Sequence, residues 1–325
     1  MPKIKVAAVQ AATVPFDAAA ATARTIKLIA DVAATGAAVA VFPEAFIGGY
    51  PKGLDFGCSI GRRTPEGRVD FARYVRGAIT VPGPEVEQLA AACAQHNIYA
   101  VIGVIERDGG TLYCTALYFG PEGLLGLHRK VMPTGSERLV WGFGDGSSLT
   151  VVDTPFGKLG GAICWEHYMP LMRAAYYAKG VQIWAAPTAD DRESWVATMR
   201  HVAMEGRCFV IGACQVMRRS DFPEDYASRI EAGPDEWMMH GRSVIVGPLG
   251  EVLAGPLVDE EGILTADIDI DDLVGAKLDF DPVGHYARPD LFRLTVDESP
   301  RLPVSTLRDP VVVAAPVRDS SGIGG

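Results

Sequence analysis

Two short apolar runs, residues 6–10 and 38–42, flank an Ala-rich stretch of helical character over about residues 17–35. Strand, helix, strand with near-continuously apolar strands predicts parallel pairing in a sheet buried on both faces. A second helix is expected from Pro84 to His96, with Pro in its first turn and Asn97 beyond its end, followed by a core strand over residues 98–105. Three strand–turn–strand segments come next, turning at Gly120-Pro121-Glu122-Gly123, Pro155-Phe156-Gly157-Lys158 and Gly247-Pro248-Leu249-Gly250. Pro and Gly preset or permit the dihedrals such turns need. Between the second and third hairpins the pattern predicts helix 170–179, strand 181–186, helix 191–206 and strand 208–216. That is enough strand for two sheets, with helices to cover both. The economical packing is a single-domain α/β fold, a four-layer α-β-β-α sandwich over residues 1–300.

Residues 218–240 interrupt the alternation with charge and Pro and are expected on the surface. Residues 301–325, ending in SSGIGG, are expected to be a flexible tail or an arm that orders on a neighbouring subunit.

Of the 325 residues, 48% are hydrophobic and 22% charged, the balance of an ordinary water-soluble globular chain. The net charge of −10 and scattered basic residues argue against a nucleic-acid surface. The six cysteines show no CxxC spacing and read as reduced thiols in a cytoplasmic setting. The N-terminus has no signal-peptide pattern, and no apolar run is long enough to span a membrane. No HxH, HExxH, GxGxxG or P-loop pattern occurs, so neither a metal nor a nucleotide cofactor is expected.

Chemistry concentrates at three places. Cys164 follows Gly160-Gly161-Ala162-Ile163 and precedes a helix-compatible segment. That is a strand end where a nucleophile gains exposure and backbone N–H groups face a developing oxyanion; a buried apolar cysteine is the ordinary alternative. Glu44 lies between Phe42 and Phe46, where desolvation would raise its pKa towards that of a useful base. Lys130 ends a strand, and near a cysteine it would stabilise a thiolate and then developing negative charge. A solvated edge is the alternative for Lys130, and an ion pair with Arg138 is the simplest reading of Glu137. Gly142–Gly146 reads as a flexible loop near a site mouth.

Three segments, FPEAFIGGYP (42–51), HRKVMPTGSERLVWGFGDG (128–146) and GAICWEHYMPL (161–171), resemble the Glu, Lys and Cys signatures of the nitrilase branch of the carbon–nitrogen hydrolase superfamily. The resemblance runs on to GHYARPDLF at residues 284–292. It implies the same sandwich, with Glu44 as general base, Lys130 as the positive group near the intermediate and Cys164 as nucleophile. Glu137 and Trp165 would support them, Trp165 through its backbone N–H. Tyr50, Thr134, Trp141, His167, Thr188 and Ala189 are candidate walls of a substrate pocket. A small-molecule nitrile is the implied substrate; amidase or carbamoylase action, cyanide hydrolysis or a non-catalytic scaffold are the alternatives. A homo-oligomer built from dimers, extended into a spiral through segments 53–76 and 218–240, is also implied.

Overall fold

The computed structural model describes residues 3–302 and 304, so most of the expected 301–325 tail lies outside the described residues. Strand β1 (Lys3–Gln10) leads into helix α1 (Ala18–Ala34), capped by the Asp17 carboxylate, which accepts from the Ala20 N–H. Ala21, Thr25, Ile29 and Val32 repeat at helical spacing along the buried side of α1. Strand β2 (Val39–Val41) is followed by a small ribbon, β3 (Cys58–Ser59) and β4 (Arg62–Arg63), and helix α2 (Pro65–Arg76). Helix α3 (Pro84–His96) begins with its proline and ends at Asn97 in the left-handed region. Strands β5 (Tyr99–Asp108), β6 (Thr111–Gly120) and β7 (Gly123–Arg129) form a meander.

The second half supplies the hairpin β8 (Val151–Thr154) and β9 (Gly157–Gly161), a 3₁₀ turn (Cys164–Tyr168) and helix α4 (Pro170–Ala178). Strand β10 (Ile183–Thr188), helix α5 (Glu193–Gly206) and strand β11 (Phe209–Cys214) follow. Strands β12 (Val216–Arg218), β13 (Trp237–Val246), β14 (Val252–Val258) and β15 (Gly262–Asp269) and the short helix α6 (Asp272–Ala276) complete the described elements.

One sheet runs β15-β1-β2-β5-β6-β7, the other β12-β13-β11-β10-β9-β8, with β14 on β13. The apolar runs pair in parallel at the centre of each: β1, β2 and β5 in one, β9, β10 and β11 in the other. Alternation explains why they are apolar throughout. Val6 and Ala8 point into the core between the sheets, whereas Ala7 and Val9 point outward to pack with Ile29 and Leu89 of α1 and α3. The other sheet places Ile183 and Ile211 inward, and Trp184 outward with Tyr176 and Trp195 of α4 and α5. The layers are therefore α-β-β-α, as the strand count predicts.

Two expectations are corrected. Segment 218–240 is not merely a surface excursion: β12 and β13 occupy its ends, and Phe222, Tyr226, Met238 and Met239 are buried in one cluster with Ala12, Ala189 and Met217. The Gly142–Gly146 loop lies along the chain beside Lys130, with the Gly142 and Gly144 N–H groups donating to Leu112 O and Lys130 O. A Cβ at Gly144 would fall 2.1 Å from Arg129 O, so glycine there serves close approach of two backbones.

Candidate active site

The two sheets deliver the site from opposite sides. Glu44 sits just past β2, in a turn where Ala45 adopts φ +51° and Phe42 N–H bonds to Val101 O. The Glu44 carbonyl accepts from Gln215 Nε2, on the other sheet, at 2.7 Å. Lys130 immediately follows β7 and is fixed by its N–H to Cys114 O. Cys164 opens the 3₁₀ turn after β9 with φ +51°, a conformation a non-glycine residue holds only when its surroundings impose it.

The side chains converge. Lys130 Nζ donates to Glu44 Oε1 at 2.6 Å and to Glu137 Oε2 at 2.8 Å, and all three groups are buried. Two of the ammonium's three N–H groups are thereby used, leaving one for negative charge developing nearby. Glu137 also accepts from Tyr50 Oη at 2.8 Å and from the Thr134 N–H at 2.6 Å, so it is not a surface partner of Arg138. Thr188 donates its hydroxyl to Cys164 Sγ at 3.2 Å, and the Cys114 thiol contacts Glu44 Oε1 at 3.5 Å. Glu44 Oε2 has no conventional hydrogen-bond partner, and the Cys164 thiol is among the groups whose hydrogen bonding lowers the Glu44 pKa.

Burial raises the Glu44 carboxyl above the ordinary glutamate value and Glu137 adds to that, with Lys130 opposing both. Burial alone would lower the Lys130 pKa, but Glu44, Cys164 and Glu137 carry it well above the lysine value, so it is a fixed cation. Burial pushes the Cys164 thiol up and the Glu44 charge adds to this; Lys130 pulls the other way without prevailing. Held above the ordinary cysteine value, Cys164 rests as a thiol, the form from which a general base would have to take the proton. The physical reason is that two carboxylates already claim the lysine charge. Attack requires a base that removes the proton as sulfur reacts, and Glu44 is the adjacent carboxylate.

Beside Cys164 lies a cavity of about 210 Å³ lined by Tyr50, Lys52, Thr134, Glu137, Cys164, Trp165, Ala189, Asp190, Asp191 and Arg192. Trp165 is held there by its indole N–H to Asp190 at 2.8 Å and by the Arg192 guanidinium over its ring. Of the expected walls, Trp141, His167 and Thr188 do not line this cavity, Thr188 lying instead against the Cys164 sulfur. The Trp141 ring lies near Lys130 Nζ, 5.4 Å away, and its N–H donates to Tyr74 Oη. His167 is sealed behind Cys164, its Nδ1 bonded to Cys164 O at 2.6 Å and its Nε2 accepting from Trp184. Burial lowers its pKa to about 4, so the ring is neutral and serves to hold the Cys164 carbonyl. Sequence reasoning passed over Glu166, His128, Cys114, Gln215 and Lys52. The signal for Glu166 was its place two residues after Cys164, and for His128 its place two before Lys130. Among the described residues, no group of three or more His, Cys, Asp or Glu side chains is placed to hold a metal ion.

The Carbon-nitrogen hydrolase family profile matches residues 5–277. The chain belongs to that family. Within it, the chain is 62% identical over 306 residues to an aliphatic nitrilase of Sinorhizobium fredii, covering 94% of this chain and 99% of that one. It is 52% identical over 310 residues to a bifunctional nitrilase/nitrile hydratase of Lupinus angustifolius, covering 94% and 89%. Relatives this similar place this carbon–nitrogen hydrolase in the nitrilase branch. A solved carbon–nitrogen hydrolase of Xanthomonas campestris shares the fold, with a TM-score of 0.66 at 16% identity, covering 87% of this chain and 97% of that one.

Proposed function

We propose that the protein hydrolyses organic nitriles to carboxylic acid and ammonia, with Cys164 as nucleophile, Glu44 as general base and Lys130 as electrostatic stabiliser. The observation that carries this is one buried cluster in which the Glu44–Lys130 pair abuts a cysteine thiol at the wall of a small cavity. Glu44 takes the thiol proton as sulfur bonds to the nitrile carbon, and one C–N π pair moves to nitrogen. Returning that proton to nitrogen gives a thioimidate. Water, deprotonated by Glu44, adds to the carbon; the tetrahedral species expels ammonia and leaves a thioester. A second water releases the acid and restores the thiol. The third N–H of Lys130 and the backbone N–H of Trp165 would bear the negative charge, the loss of one such donor raising the barrier by about 3–4 kcal/mol.

The cavity of about 210 Å³ is small beside the roughly 300–1,000 Å³ of drug-sized sites. Small aliphatic nitriles are therefore the favoured substrates, in keeping with the name of the Sinorhizobium relative. A cytoplasmic setting, which suits six free cysteines, and assembly from dimers belong to the same proposal. Exposed Leu171 on α4 and Met204 on α5 offer apolar surface for pairing. The test is ammonia release from a panel of nitriles and their matching amides. Ammonia is expected chiefly from aliphatic nitriles, and Cys164→Ala is expected to abolish it while the protein stays folded. Release chiefly from amides, or appreciable activity in Cys164→Ala, overturns the reading.

A further inference from the structure

Lys130 and Cys164 come from different sheets, so something must set their separation. The backbone between them is bridged by a single carboxylate. Glu166, 1% exposed, accepts through Oε1 from the Val131 N–H at 2.6 Å and through Oε2 from the Ile163 N–H at 2.8 Å. Val131 follows Lys130 directly, and Ile163 directly precedes Cys164. Oε2 also faces His128 Nε2 at 2.9 Å, and His128 stands on β7 two residues before Lys130. The other ring nitrogen, Nδ1, donates to Ser148 O at 2.8 Å. With a carbonyl on one nitrogen and a carboxylate on the other, the imidazole is doubly protonated and the contact is a buried ion pair.

We propose that Glu166, clamped by His128, is the positioning residue that fixes the Lys130 ammonium relative to the Cys164 sulfur and so sets the turnover rate. It lies behind the catalytic groups and is not among the residues lining the cavity. Three donors from two sheets converge on one side chain, and only a carboxylate offers enough acceptor positions for all of them. The charges are mutually held: burial would raise the Glu166 pKa, but the His128 charge keeps it below the ordinary value. Burial would lower that of His128, but Glu166 raises it. Glutamine has the same shape and one oxygen instead of two, so an amide N–H₂ must face at least one of the three donors.

The inference rests on the nitrile-hydrolysis reading for its kinetic test, and a second measurement is independent of that reading. In Glu166→Gln, kcat for an aliphatic nitrile is expected to fall on the order of 10²-fold, the cost of a small misplacement of reacting groups. KM should stay within about two-fold, because the cavity wall is untouched. The iodoacetamide alkylation rate of Cys164, read by mass spectrometry of its peptide, is expected to drop roughly tenfold as Glu44 loses its alignment with the thiol. If wild-type protein releases ammonia from no nitrile, the functional reading fails while the alkylation rates still judge the clamp. A Glu166→Gln protein with kcat and alkylation rate within about two-fold of wild type overturns the proposal, as does a rise in KM at unchanged kcat. Should Glu166→Gln show no cooperative melt, His128→Gln decides. It leaves both backbone hydrogen bonds to Glu166 in place, the same losses are expected, and wild-type turnover refutes the clamp.

Discussion

In the proposed mechanism Glu44 must be a carboxylate to accept the thiol proton, yet burial and the neighbouring Glu137 charge both favour its protonated form. As pH falls through that raised pKa the base is lost, so the acid limb of kcat/KM is expected above the ordinary glutamate value of 4.5. Glu137→Gln removes one of the charges that raise it, and the limb should move to lower pH while kcat falls; a pH–rate profile of both proteins checks this. Lys130→Ala is a harsher change. It leaves two buried carboxylates facing each other without their cation, at a cost of about 3–5 kcal/mol. Its melting temperature should drop clearly in a thermal scan, and kcat should drop by roughly 10²–10³-fold. The sequence displayed Glu44 between aromatic residues and Cys164 after a glycine pair, and so made both legible as candidates. That two carboxylates share Lys130 was indicated only through the resemblance, because Glu44 and Glu137 are far apart in the chain. Trp141 and His167 were misread for a similar reason: proximity in sequence to a catalytic residue says nothing about which side of the sheet a ring occupies.

Among the elements, β5 governs where Glu44 stands. Gly103 in β5 runs so close to the Glu44 turn that a Cβ there would lie 2.2 Å from Pro43 O and 2.8 Å from Glu44 Cα. Those are backbone atoms, so the turn itself would have to move. Gly103→Ala is expected to lower kcat on the order of 10²-fold through displacement of Glu44, with little loss of secondary structure by circular dichroism. A wild-type kcat would show that the turn relaxes without carrying the carboxylate along. The central parallel strands were readable because burial on both faces forces every position to be apolar. Strand β15 and helix α2 went unseen for the converse reason. Most of β15 is only half-buried, at the edge of its sheet, and its charged positions hide the alternation. Of α2, Gly67 and Tyr74 are its buried residues, so it lacks a continuous apolar stripe.

At the scale of the whole molecule, polar groups tie the two sheets together across an otherwise apolar interior. Gln10 on β1 accepts from the Ser243 N–H of β13 and donates to Leu257 O, and Gln215 reaches the Glu44 carbonyl. The His128–Glu166 pair is the charged member of this set, and it makes stability depend on pH with a definite sign. Glu166 has a folded-state pKa below its unfolded value of 4.5, so its contribution is present above that pH and is lost as pH falls through the lowered value. His128 has a folded-state pKa above its unfolded value of 6.5, so its contribution is complete below that pH and is lost as pH rises through the raised value. Both contributions are complete together only between about 4.5 and 6.5. The melting-temperature gap between wild type and His128→Gln should therefore be widest in that window and narrow on its alkaline side. A gap that stays constant from pH 5 to 9 would mean that His128 and Glu166 are not ionised against each other in the folded protein, and that the sheets are joined at this point by neutral hydrogen bonds alone.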